Sequence, residues 1–113
     1  VRLIAYEGGQ HLLGFQGAEN DDQLTSLLLA ANRAPEMEQI YRRYLDQWRS
    51  ISNNGLFCLW LSVERWSKWG AWGLLEFFDQ EGRQSPKFRA VQPRFVLRDP
   101  PVRTAPVINE HTP

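Results

Sequence analysis

Glu7, Gln10 and His11 stand within one short stretch, Y-E-G-G-Q-H at 6–11, and a second cluster, W-S-K-W-G-A-W-G, follows at 66–73. The first offers a carboxylate that can attack an electrophilic carbon or take a proton, and an amide and an imidazole that can hydrogen-bond a hydroxyl. Gly8 and Gly9 would let a ligand approach the backbone closely. The second cluster sets Trp66, Trp69 and Trp72 at steps of three. Sugar rings present flat apolar C–H faces, and an indole in a wet groove supplies matching area at low entropic cost. Each signal has a plain alternative. Taken alone, Glu7 reads as a solvated carboxylate where a strand runs out, and His11 as a surface or capping histidine. The three tryptophans read as the buried stripe of a short helix, although Gly70 and Gly73 are poor helix residues and keep a looped aromatic platform open beside it. Glu64 and Glu76, next to Arg65 and Phe77, read as ion-paired surface groups.

The elements that must position these groups are partly legible. Val1, Leu3, Ile4, Ala5 and Tyr6 make 1–6 a short strand, apolar enough to be covered on both faces as in a parallel sheet. Glycines at 8, 9, 14 and 17 mark a long loop. Asn20-Asp21-Asp22 supplies a cap before L-T-S-L-L-L-A-A-N, and Pro35 opens a second helical run at its first position. In that run Met37, Ile40, Tyr41, Tyr44, Leu45 and Trp48 form one apolar stripe, opposite Arg42, Arg43, Asp46 and Arg49. Asn54 and Gly55 end it with left-handed turn geometry, and L-F-C-L-W-L-S at 56–62 is a second apolar strand. Strand, helices and strand make a parallel βαβ unit with a right-handed crossover. Ser85-Pro86-Lys87 starts another helix. From Gln92 onward five of the seven prolines gather, so 93–113 is expected to be an irregular tail.

The composition excludes several classes. A chain of 113 residues fits one domain, and 13 Lys+Arg against 13 Asp+Glu leave no net pull toward nucleic acid or an anionic membrane. No apolar run approaches the ~20 residues of a membrane span. The single Cys58 rules out an internal disulfide and, within L-F-C-L-W, reads as a small buried apolar residue. No metal is expected, since His11 and His111 lie far apart, and no cofactor, since Gly8-Gly9 lacks the Lys and helix start of a phosphate loop. The compartment stays open. Aromatics reach 12%, with five tryptophans.

Taken together, V-R-L-I-A-Y-E-G-G-Q-H-L, A-A-N-R-A-P-E-M, Y-R-R-Y-L-D-Q-W, G-L-F-C-L-W, W-S-K-W-G-A-W-G-L-L-E and S-P-K-F-R-A-V resemble the last quarter of (β/α)₈-barrel glycoside hydrolases. More narrowly, the chain is similar to bacterial cellulase-like or cellulose-binding barrel proteins, over residues 1–92. The resemblance implies an α/β fold in which 1–6 is barrel strand seven, 21–52 the seventh helical layer, 56–62 strand eight and 86–91 the start of helix eight. It implies Glu7 as the nucleophile at the tip of strand seven of a retaining enzyme, in a parent compatible with secretion. Gln10 and His11 would then bind sugar hydroxyls, and Trp60, Trp66 and Trp69 would stack on sugar rings. The acid/base Glu of strand four has no counterpart. A retaining glycosidase needs two carboxyl groups about 5–5.5 Å apart, so this stretch alone is expected to be inactive.

A second function class stands beside the first. Two parallel strands leave edges and faces uncovered, and the chain could be a small α/β interaction module that assembles as a homo-oligomer, with the tryptophans at its interface. The two readings name different partners: carbohydrate and the remainder of a barrel, or a second copy.

Overall fold

In the computed structural model, which describes residues 1–92, two parallel strands share one side of a small helical layer. The elements run β1 (Ala5–Gly8), a 3₁₀ turn (Ala18–Asn20), α1 (Asp22–Arg33), α2 (Glu36–Ile51), β2 (Phe57–Leu59), a second 3₁₀ turn (Gly82–Gln84) and α3 (Pro86–Val91). This is an α/β fold with a two-stranded parallel sheet. The expected tail at 93–113 lies outside the described residues.

Local chemistry accounts for each helix. The Asp21 carboxylate caps α1 by accepting from the backbone N–H of Gln23 and Leu24, at 2.9 and 3.0 Å. Ser85 caps α3 by accepting from Phe88 N–H at 3.3 Å, and its hydroxyl donates to the Leu74 carbonyl at 2.5 Å. Pro86 follows in the first turn, where its missing N–H is not needed. Pro35 sits at the cap of α2 rather than inside it. The stripe on α2 is narrower than its periodicity suggests. Met37, Tyr41 and Leu45 are buried and meet Leu74, Ala90 and Val91, with Phe57, Leu59 and Phe88 packed against them. Ile40 and Tyr44, one step round the helix, are exposed, and Trp48 is half-buried, its indole N–H held by the Gly55 carbonyl at 2.9 Å.

The sheet departs from expectation in three ways. β1 begins at Ala5 and reaches Gly8, so Glu7 lies within the strand, while Leu3 and Ile4 are exposed and unpaired by a ladder. Among the described residues the sheet is covered on one face only. Alternation turns Phe57 and Leu59 toward the helices and sends Cys58 to the other face, so the cysteine expected to be buried is exposed. The register also slips. Ala5 pairs with Phe57 but Gly8 with Leu59, so three steps on β1 answer two on β2. The slip falls at Tyr6 and Glu7, both of which are exposed.

Between β2 and the second 3₁₀ turn the chain forms no helix. Ser67 and Gly70 exchange backbone hydrogen bonds at 3.0 Å in both directions, closing a tight turn. Gly70 has φ +132, and a Cβ there would come within 2.3 Å of the Trp72 indole nitrogen. Only glycine fits that turn. The aromatic cluster is therefore looped, as one of the two readings of its sequence required.

Candidate functional site

Glu7, Gly8, Gly9, His11, Trp60 and Trp72 line one cleft of about 180 Å³ at the carboxyl end of the strand pair. β1 delivers Glu7, and β2 delivers Trp60 one residue beyond its last paired position, with Trp60 N–H donating to the Gly8 carbonyl at 2.8 Å. The Trp60–Leu61 peptide is cis. Gly8 is required by contact rather than conformation: a Cβ there would lie 2.3 Å from the Phe57 ring. The absence of a side chain lets β1 lie against that ring and keeps Glu7 at the cleft.

His11 and Trp72 form the opposite wall, their rings 4.4 Å apart between centroids and tilted by 49°. Trp72 is pinned by its indole N–H, which donates to the Trp69 carbonyl at 3.1 Å. Gln10 does not line the cleft but braces it from behind. Its side-chain amide donates to the Ala71 carbonyl at 2.5 Å, and its Oε1 accepts from Leu12 N–H at 2.7 Å. The Gln10 backbone N–H donates to the Tyr41 hydroxyl at 3.4 Å. Burial pushes the Tyr41 phenol pKa up, against the opposing pull of that hydrogen bond. Tyr41 thus links the core of α2 to the floor of the cleft.

The remaining aromatic residues take different places. Trp60 is 54% exposed and faces the cleft. Trp69 is 62% exposed beside it, with the Lys68 ammonium 4.8 Å from its ring. Lys68 in turn donates to Asn20 Oδ1 at 2.8 Å and ties the turn to the loop before α1. Trp66 lies inside. It is 6% exposed, its N–H donates to the Gly73 carbonyl at 3.2 Å, and Lys87 and Arg33 stand over its ring at 4.1 and 5.5 Å. As placed in this chain, Trp66 is a structural wall behind the cleft rather than an open platform.

Of the two further carboxylates, Glu76 is ion-paired as its sequence reading has it, whereas Glu64 has no ion pair among the described residues. Glu76 is ion-paired with Arg33, and this pairing raises the arginine pKa. Glu64 is half-buried, and its Oε2 is enclosed without a hydrogen-bond partner. Neither lines the cleft. By contrast, among the described residues no protein group hydrogen-bonds the Glu7 carboxylate, which faces the cleft unencumbered.

Sequence reasoning missed Trp72 and Lys87. Trp72 differs from Trp66 in lying two residues past Gly70, which reverses the chain. Lys87 had only its place in S-P-K to mark it. Among the described residues no group of His, Cys, Asp and Glu is placed to hold a metal ion, and no helix is long and apolar enough to cross a membrane. Comparison with protein-family models, curated proteins and solved structures finds no match.

Proposed function

We propose that the chain handles carbohydrate, as the C-terminal portion of a glycoside-hydrolase-like (β/α)₈ barrel, with Glu7 as the nucleophile of a retaining reaction. One observation carries this reading: a carboxylate on a strand, an imidazole and two indoles line the same cleft at the carboxyl end of a parallel pair. That end is where parallel α/β folds bind ligands. The indoles offer apolar faces to a sugar ring, and His11 offers a hydrogen bond to a hydroxyl. Glu7 would attack the anomeric carbon as the leaving oxygen takes a proton from a second carboxyl group, and water would then cleave the glycosyl–Glu7 ester. That second group would come from another part of the parent, since Glu7 is the only carboxylate among the described residues that line the cleft.

Titration with cello-oligosaccharides followed by tryptophan fluorescence tests the reading. A signal change lost in the Trp60→Phe, Trp72→Phe double variant and kept in Trp48→Phe is expected. A full signal surviving loss of both cleft tryptophans would remove the carbohydrate site from this cleft.

The alternative, a homo-oligomeric interaction module, is favoured by the open face of the sheet, where Ile4, Tyr6 and Leu56 are exposed at 56%, 83% and 58%. Light scattering separates the two: a stable dimer that does not bind sugar supports the module.

A further inference from the structure

Lys87 lies on α3 with 0% exposure, behind the cleft and outside its lining. Its Nζ donates to the Ala71 carbonyl at 2.6 Å and stands 4.1 Å from the centre of the Trp66 ring. The same carbonyl accepts from Gln10 Nε2 at 2.5 Å. Ala71 immediately precedes Trp72 and Gln10 immediately precedes His11, so both residues of the stacked wall hang from one oxygen atom.

We propose that Lys87 is a positioning residue for the cleft: its amine clamps the Ala71 carbonyl against the face of Trp66, and through that carbonyl fixes the contact between Trp72 and His11. The choice of residue argues against simple filling. A methionine of similar length would occupy the space without the cost of desolvating an ammonium group. A lysine adds a charge-assisted hydrogen bond aimed at one acceptor, and a cation held over an indole.

The surroundings set how that clamp responds to pH. From the segment after β2, Glu64 and Glu76 attract the ammonium, while burial, the larger influence, lowers its pKa to about 7. From α1, Arg33 reaches the same Trp66 ring but is paired with Glu76. On α3 itself, Arg89 is turned to Glu38 of α2, whose carboxyl pKa is lowered by Arg42 and Arg89. The proton on Lys87 is therefore exchanged near neutrality, and the charge that strengthens its bond to Ala71 fades as pH rises through that range. The inference concerns the geometry of the wall and holds whatever ligand the cleft takes.

Lys68 and Lys87 are the two lysines of the chain, so isotope-labelled lysine gives two resolvable side-chain signals by NMR. In the wild type the Lys87 ε-carbon is expected to titrate near pH 7, and the Gln10 side-chain amide and Trp72 indole N–H signals to shift with the same midpoint. In Lys87→Met that shared component is expected to vanish and the His11–Trp72 ring cross-peaks to be lost, with the helical circular dichroism retained. Unchanged cross-peaks in a folded Lys87→Met protein would overturn the proposal. Should that variant fail to fold, the wild-type titration decides: Gln10 and Trp72 signals that ignore the Lys87 midpoint overturn it equally.

Discussion

Around α2 and α3 the fold is held by apolar contact: Met37, Tyr41, Leu45, Leu74, Ala90 and Val91 bury one another and close over Phe57 and Leu59. Around the cleft it is held by directed hydrogen bonds onto backbone carbonyls, from Trp72 to Trp69, from Gln10 and Lys87 to Ala71, and from Trp66 to Gly73. Apolar packing resists a change in volume but is indifferent to direction. A hydrogen bond fixes direction and contributes little net stability. The two regions should therefore fail differently when altered, the first by unfolding and the second by losing its geometry while the fold survives.

Leu45→Ala is the strongest test of the packed region. It should cost about 2–5 kcal/mol, the usual range for an apolar side chain removed from a core, and urea unfolding would measure it. A loss well below that range would show that the helical layer is less closely packed than described. The pH dependence of stability is the next largest effect and belongs to the boundary between the regions. In the unfolded chain Lys87 keeps its proton up to its ordinary value of 10.5, whereas in the fold it releases it at about 7. Between those values the unfolded state binds more protons, so stability should rise with pH, by at most ~1.4 kcal/mol per unit. Below that window the fold bears the full cost of the buried ammonium. Melting curves from pH 6 to 10 should flatten in Lys87→Met, and an equal slope in both proteins would assign the dependence to another group.

Tyr41→Phe probes the link between the two regions. It removes the acceptor for the Gln10 N–H and should cost about 0.5–1.5 kcal/mol, with the larger change in the Gln10 and His11 amide signals. Smallest of all is Glu7→Gln. At an exposed position with no hydrogen-bond partner among the described residues it should alter stability by no more than about 0.5 kcal/mol, yet on the proposed reading it should abolish any hydrolysis of aryl glycosides. Retained hydrolysis, or a large fall in melting temperature, would return Glu7 to an ordinary strand residue.

What the sequence disclosed follows the same division. Met37, Tyr41 and Leu45 repeat at the spacing of one helix face, and Asp21, Ser85 and Pro86 act through neighbours a few residues away, so both are legible in one dimension. Cys58 was misread because an unbroken apolar run does not reveal that only one face of the sheet is covered. Trp66, Trp69 and Trp72 look alike in sequence. Their fates part because Gly70 turns the chain between them and α3 brings Lys87 against the first. Glu7, His11 and Trp60 were named from the sequence, and the fold gathers them into one cleft. The role of Gln10 as a brace needed the Ala71 carbonyl, which no local pattern announces.

The slip in register between β1 and β2 has a consequence for parity. A regular strand shows its residues to one side by odd and even number, so Tyr6 and Glu7 would point in opposite directions. The additional residue breaks that count and leaves both exposed, with Ala5 and Gly8 half-buried on either side of them. Odd and even are thus exchanged across the slip. Removing Tyr6 would restore the count and set Glu7 opposite Cys58 in a regular ladder, still exposed, a repair of the strand that no point substitution can imitate.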